Sequence, residues 1–192
     1  MISRPNDTGP IDTRPDDTGP TATGPDDTGP TARKRQRMHD SVTIHMKASP
    51  QQVWDLVSDV TRIGRYSPET FEAEWVDGAT GPATGAKFRG HVKRNGKGPI
   101  YWTTCTVREC VRGQIFAFGV GNSDKPLNIW RYDLVQAGDG CDVTESFTLT
   151  PTFGLRLYWA VLGWSRGKTN RNGMRATLEK VRDDAEAQPA QT

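Results

Sequence analysis

From Phe71 to Thr150 the chain forms one strand-like run after another, and no other feature narrows the fold as far. The runs are FEAEWV, AKFRGHVK, IYWTTCTVREC, IFAFGV, LNIWRYDLV and CDVTESFTLT. Residue pairs suited to tight turns separate them: Asp77-Gly78, Asn95-Gly96, Arg112-Gly113 and the Gly138-Asp139-Gly140 triplet. Short connections of this kind join antiparallel neighbours, because parallel strands need a long crossover. An antiparallel meander follows.

The flanks of the meander complete the order. SVTIHMKA alternates, with Val42, Ile44, Met46 and Ala48 on one face, as in a half-buried strand. Ser49-Pro50-Gln51-Gln52 then starts a helix: Ser49 caps it, Pro50 suits its first turn and Gln52 completes a capping box. Val53, Leu56, Val57 and Val60 recur at helical spacing, and Gly64 and Pro68 stop the run. After the meander, residues from about Thr152 to Ala187 read as helix with an interruption at Asn170-Arg171-Asn172-Gly173. Strand, helix, short helix, about six strands and a long helix fit an α+β arrangement in which one curved antiparallel sheet wraps the last helix.

Composition divides the chain at residue 38. The first 32 residues hold six Asp and two Arg, no aromatic residue and almost nothing large and apolar. A decapeptide is written three times there, RPNDTGPIDT, RPDDTGPTAT and GPDDTGPTAR. A segment with so little to bury cannot offset its ordering entropy, so residues 1–37 are expected to be a disordered tail, 38–187 the domain and 188–192 a disordered end. The basic cluster Arg33 to Arg37 makes the tail a candidate arm for a protein partner. The competing reading starts translation at Met38, next to the first strand.

Several function classes lose support at this stage. From Met38 onward the net charge is +2, too near neutral for a surface that wraps nucleic acid. His39, His45 and His91 are scattered without metal-ligand spacing, so no metal site is indicated. GATGPATG sits between strands and lacks a Lys-Ser/Thr ending, no GxSxG occurs, and no cofactor is indicated. Cys105, Cys110 and Cys141 are an odd set without CxxC, which suits reduced thiols in the cytoplasm. Nothing in the sequence is apolar over a length that spans a membrane.

WDLVSDVTRIGRYSPE, EWVDGATGPATGAKFRGH and GMRATLEKVRDDAE together resemble the START-like, or polyketide cyclase/dehydrase-like (SRPBCC), superfamily, and are similar to its small actinobacterial members. The resemblance covers about Ser41 to Ala187. It implies a helix-grip fold with a deep apolar cavity between sheet and long helix. It also implies a hydrophobic small molecule as partner: a lipid, quinone or polyketide. The superfamily includes both carriers and enzymes, so fold alone does not choose between them.

Candidate site residues follow from both readings. Cys141, Val143, Glu145, Phe147 and Leu149 share one strand face on which Glu145 is the single charge. A carboxylate there either pairs with a neighbour such as Arg131, faces water, or is pushed up in pKa as an acid/base group. Tyr66 is expected either to rim the cavity mouth with Pro68 or to plug the gap between short helix and sheet. Arg89 is a candidate carbonyl-polarising cation, as a cavity Arg is in cyclase members, or else a solvated residue opposite Phe88 and Val92. Phe88, Trp102, Phe118, Trp130, Tyr132 and Phe147, with Leu155 and Trp159 on the last helix, form the candidate apolar wall. The leading expectation is a non-enzymatic, or weakly enzymatic, cytosolic binding protein for a hydrophobic small molecule. The runner-up is an aromatase/cyclase or dehydratase using Glu145, Arg89 or Tyr66, and the third reading is an interaction module whose cavity is filled by its own Trp residues.

Overall fold

The computed structural model describes residues 39–94, 98–150 and 153–188, with side chains given for all of these except 153–168. The repeat tail, the Arg33 to Arg37 cluster, Asn95-Gly96 and residues 189–192 lie outside the described residues. The chain begins with β1 (His39–Met46), α1 (Pro50–Ser58), a single 3-10 turn (Val60–Arg62) and α2 (Ile63–Tyr66). Then come β2 (Thr70–Val76), β3 (Lys87–Lys93), β4 (Ile100–Val111), β5 (Ile115–Gly121), β6 (Pro126–Ala137), β7 (Gly140–Leu149) and α3 (Phe153–Ala187).

All seven strands form one antiparallel sheet in the order β1-β7-β6-β5-β4-β3-β2. β2 to β7 are therefore a meander, and β1 closes on the last of them. Asp77 and Gly78 both take positive φ, at 55° and 82°, and form the turn that leads from β2 into the loop before β3. Bulges at Val107/Glu109 in β4 and Thr70/Glu72 in β2 bend the sheet.

α1 forms for the reasons its sequence gives. Ser49 Oγ accepts from the Gln52 amide at 3.2 Å, and Gln52 Oε1 accepts from the Ser49 amide at 3.0 Å. Val53, Trp54 and Leu56 are buried, and Trp54 Nε1 donates to the Ile115 carbonyl at 3.0 Å, anchoring α1 on β5. α3 presents the stripe Met174, Leu178, Val181 and Ala185, all buried, to the same core.

α3 runs unbroken through Asn170 to Gly173, where an interruption was expected. Glycine and asparagine cost helix propensity, about 1 kcal/mol for Gly relative to Ala, but tertiary contacts hold the segment. Arg171 donates through Nε and Nη2 to the Asp40 carboxylate on β1, and Gly173 packs beside Pro68, where a Cβ would make an ordinary contact at 3.7 Å. At one end of the grip, Met46, Val107, Phe116, Leu134, Cys141 and Val143 from the sheet meet α1 and the later turns of α3.

Candidate functional site

At the other end of the grip, sheet and helix part around a cavity of about 750 Å³. Alternation puts Phe88 and Val92 of β3, Phe118 and Val120 of β5, Trp130 of β6 and Phe147 and Leu149 of β7 on its wall. Phe88 and Phe118 meet edge to face at 5.0 Å, and Trp130 and Phe147 lie 4.8 Å apart. Ile63, Ser67 and Pro68 line one side, and Gly173, Met174, Ala176 and Thr177 of α3 line the roof. Half-exposed Tyr101 and Leu127, with Arg94 and Glu69, stand among the lining residues nearest the strand ends and loops.

Tyr132 and Glu145 form the floor. They are register partners on β6 and β7, and the next pair inward, Leu134 and Val143, already belongs to the solid core. Tyr132 Oη donates to Glu145 Oε1 at 3.0 Å, and both residues are buried. Burial pushes the Glu145 carboxyl up to about 8, against the opposing pull of the Tyr132 hydrogen bond. Burial, and next the Glu145 charge, hold the Tyr132 phenol far above its usual value. At neutral pH the floor is thus a carboxylic acid beside a phenol. Glu145 Oε2 has no hydrogen-bond partner among the described residues, nor does Asn128 Oδ1 higher on the β6 wall. Leaving such an atom unpaired costs about 1–3 kcal/mol in a protein interior.

Other candidate residues lie elsewhere. Glu145 does not pair with Arg131: the register sets Arg131 opposite Ser146, on the outer face, where it binds Asp133 at 2.8 Å and Glu109 at 2.7 Å. Trp102 is also on the outer face and 40% exposed, because Tyr101, Thr103 and Cys105 take the inward positions of β4. It stacks on His91 at 4.2 Å, with Arg89 above its ring. Arg89 pairs with Glu74 and borders a shallow polar depression outside the sheet, so it is one of the solvated residues and not a cavity cation. Tyr66 is buried between α2 and α3, donates from Oη to Asp184 Oδ2 at 2.5 Å, and is absent from the cavity lining. Burial, then the Asp184 carboxylate, push its phenol up to about 12, which disfavours a proton-transfer role. Pro68, its neighbour in the same turn, does line the cavity. The side chains of Leu155 and Trp159 lie outside the described residues.

Sequence reasoning missed Asn128, Cys105 and Thr177 as lining residues. The first two share strand parity with Trp130 and Val107, and Thr177 lies next to Leu178 on α3. Cys105 is held up to about 12 by burial, so it is no nucleophile.

The family model described as "Polyketide cyclase / dehydrase and lipid transport" matches residues 37–186. The chain belongs to this family. Among solved structures, the polyketide-cyclase-like protein Cgl2372 from Corynebacterium glutamicum is similar, with 26% identity and a TM-score of 0.53, over 78% of this chain and 92% of that one. The di-domain ARO/CYC StfQ from the steffimycin biosynthetic pathway is 10% identical with a TM-score of 0.58, over 81% of this chain and 53% of that one. Protein Ms6760 from Mycobacterium smegmatis is 14% identical with a TM-score of 0.54, over 80% and 94%. The last two likenesses speak to fold alone. No curated protein matches the chain. The helix-grip fold is thereby that of a polyketide cyclase/dehydrase and lipid transport family member, and among the described residues no helix is long and apolar enough to cross a membrane.

Proposed function

We propose that this family member binds a hydrophobic small molecule, a lipid, quinone or polyketide, in the cavity between sheet and α3. The observation that carries the reading is the cavity itself: about 750 Å³, walled mostly by aromatic and aliphatic side chains, with a few convergent polar groups at its floor. That volume falls within the roughly 300–1,000 Å³ of small-molecule sites. Binding is driven by removing the ligand's apolar surface from water, while the floor fixes its orientation. Phe88, Phe118, Trp130, Tyr132, Glu145 and Phe147 are the contacts on this reading.

One observation favours the enzymatic alternative. A neutral carboxylic acid facing an apolar cavity suits proton transfer to a carbonyl during cyclisation or dehydration. Glu145 is then the acid, without help from Arg89 or Tyr66.

Three unpaired thiols support a cytoplasmic setting, and the near-neutral domain argues against nucleic acid as partner. A protein partner for the repeat tail stays part of the proposal.

Native mass spectrometry of protein purified from an actinobacterial host, then denatured extraction, tests the reading. A discrete adduct released on unfolding supports a carrier and gives the ligand's mass. An extract component returned with altered mass selects the cyclase. Empty protein after incubation with lipid, quinone and polyketide extracts refutes both.

A further inference from the structure

Exposed apolar side chains gather at one end of the sheet. The antiparallel order brings the starts of β2, β4 and β6 and the ends of β3 and β5 to that end. Seven large hydrophobic side chains are exposed among the described residues. Five of them, Phe71, Ile100, Tyr101, Trp102 and Leu127, lie within the first three residues of β2, β4 or β6. Val111 at the far end of β4 and Val135 late in β6 are the other two. Exposed hydrophobes scattered singly are ordinary, whereas a cluster at one end marks an interaction surface. Tyr101 and Leu127 also line the cavity, so the cluster is continuous with the cavity mouth.

Cations stand beside these apolar tips. Lys93 is the register partner of Ile100, Arg94 follows it, and Lys125 lies two residues before Leu127. All three are exposed, and none forms an ion pair among the described residues. Of the acids at this end, Glu69 is half-buried and Glu72 is engaged by His91 at 3.2 Å. Asp124 is left as the exposed acid without an ion pair among the described residues.

We propose that this end of the domain docks on an anionic bilayer surface, with Ile100, Tyr101 and Leu127 entering the headgroup layer and Lys93, Arg94 and Lys125 meeting lipid phosphates. Strand starts that share one end of a sheet can reach one plane together. Aromatic residues with a polar tip suit the boundary between headgroups and acyl chains, and long cationic side chains extend from it towards phosphate. Each Lys or Arg held near such a surface contributes about fivefold in affinity. A headgroup layer also covers an open cavity mouth without the shape complementarity that a protein partner needs. The inference concerns the rim and stands apart from what the cavity holds.

The test is co-sedimentation of the full chain with vesicles of phosphatidylcholine, alone or mixed with phosphatidylglycerol. Wild type should bind the mixed vesicles at least about tenfold better, and added salt should shrink the difference. Lys93→Gln combined with Lys125→Gln should cost about 25-fold on the mixed vesicles. Ile100→Ser removes a side chain that is 54% exposed and should cost about fivefold on the same vesicles. Neither variant alters the cavity lining, and both should melt as wild type does. Val135→Ser, 63% exposed but remote from this end, should bind vesicles like wild type. The Arg33 to Arg37 cluster is common to all these proteins and cancels in the comparison. Unchanged vesicle binding by the lysine double variant and Ile100→Ser overturns the inference, and so does an equal loss from Val135→Ser. Wild type that ignores both kinds of vesicle overturns it too, and self-association abolished by Ile100→Ser would then give this end to a second copy of the chain.

Discussion

Glu145→Gln gives the most direct view of the energetics of the floor. The carboxyl ionises near its ordinary value of 4.5 in the unfolded chain and at about 8 in the fold. A folded pKa above the unfolded one means that the native state holds the proton longer. The favourable contribution is therefore complete below pH 4.5 and disappears as pH rises to 8. In that window the stability of wild type should fall relative to the Gln variant by about 1.4 kcal/mol per pH unit. Between pH 5 and pH 7 the difference between the two proteins should thus change by about 3 kcal/mol, to the disadvantage of the wild type. For a domain of this size that is roughly 6–12 °C in relative Tm. All other titrating groups, the tail aspartates included, are shared by the two proteins and cancel. Urea or thermal unfolding of both at several pH values, followed by circular dichroism, measures the difference. The amide of Gln still accepts from Tyr132, so the variant keeps the fold against which wild type is compared. Parallel stability curves from pH 5 to 8 would refute the argument, and with it the neutral acid on the cavity floor.

Two further substitutions probe separate parts of the structure. Gly64→Ala places a Cβ 2.1 Å from the Phe71 carbonyl oxygen, a backbone atom that cannot rotate away, so α2 and β2 must part. A loss of roughly 3 kcal/mol or more in urea unfolding is expected, and a change below about 1 kcal/mol would show that the contact relaxes freely. Trp130→Ala should cost about 1–3 kcal/mol, less than a fully buried aromatic because Trp130 is only partly buried, and at least tenfold in capture of a hydrophobic probe, because it removes a cavity wall. Trp102→Ala, on the outer face and 40% exposed, should leave capture unchanged; equal losses from the two would contradict the facing assigned to β4.

How far the sequence spoke depended on whether a pattern had one solution or two. The capping box at Ser49 and Gln52 and the Asp77-Gly78 turn each satisfy a local hydrogen-bonding or dihedral demand, so both were legible before any coordinates. Glu145 was legible as the single charge on an otherwise apolar strand face, but the sequence left its partner open, and the register now gives Tyr132 in place of Arg131. β4 is the contrary case. Tyr101 and Trp102 offer an aromatic residue to either face, and the bulge at Val107/Glu109 shifts the alternation further along, so counting from the end of the strand misplaces its start. Arg131 illustrates a different loss: its neighbour across the sheet is set by the two-residue connection from Ala137 to Gly140, and a shift of one position would have put it beside Glu145. The turn from Gly64 to Pro68 divides its labour in a manner that composition cannot express. Gly64 lets the chain approach β2, Tyr66 ties α2 to Asp184, and Pro68 alone of the three reaches the cavity. An aromatic residue at a cavity mouth and one that fastens the mouth to the long helix have the same sequence signature. What separates them is whether another element supplies a partner for the hydroxyl, and Asp184, more than a hundred residues away, does so.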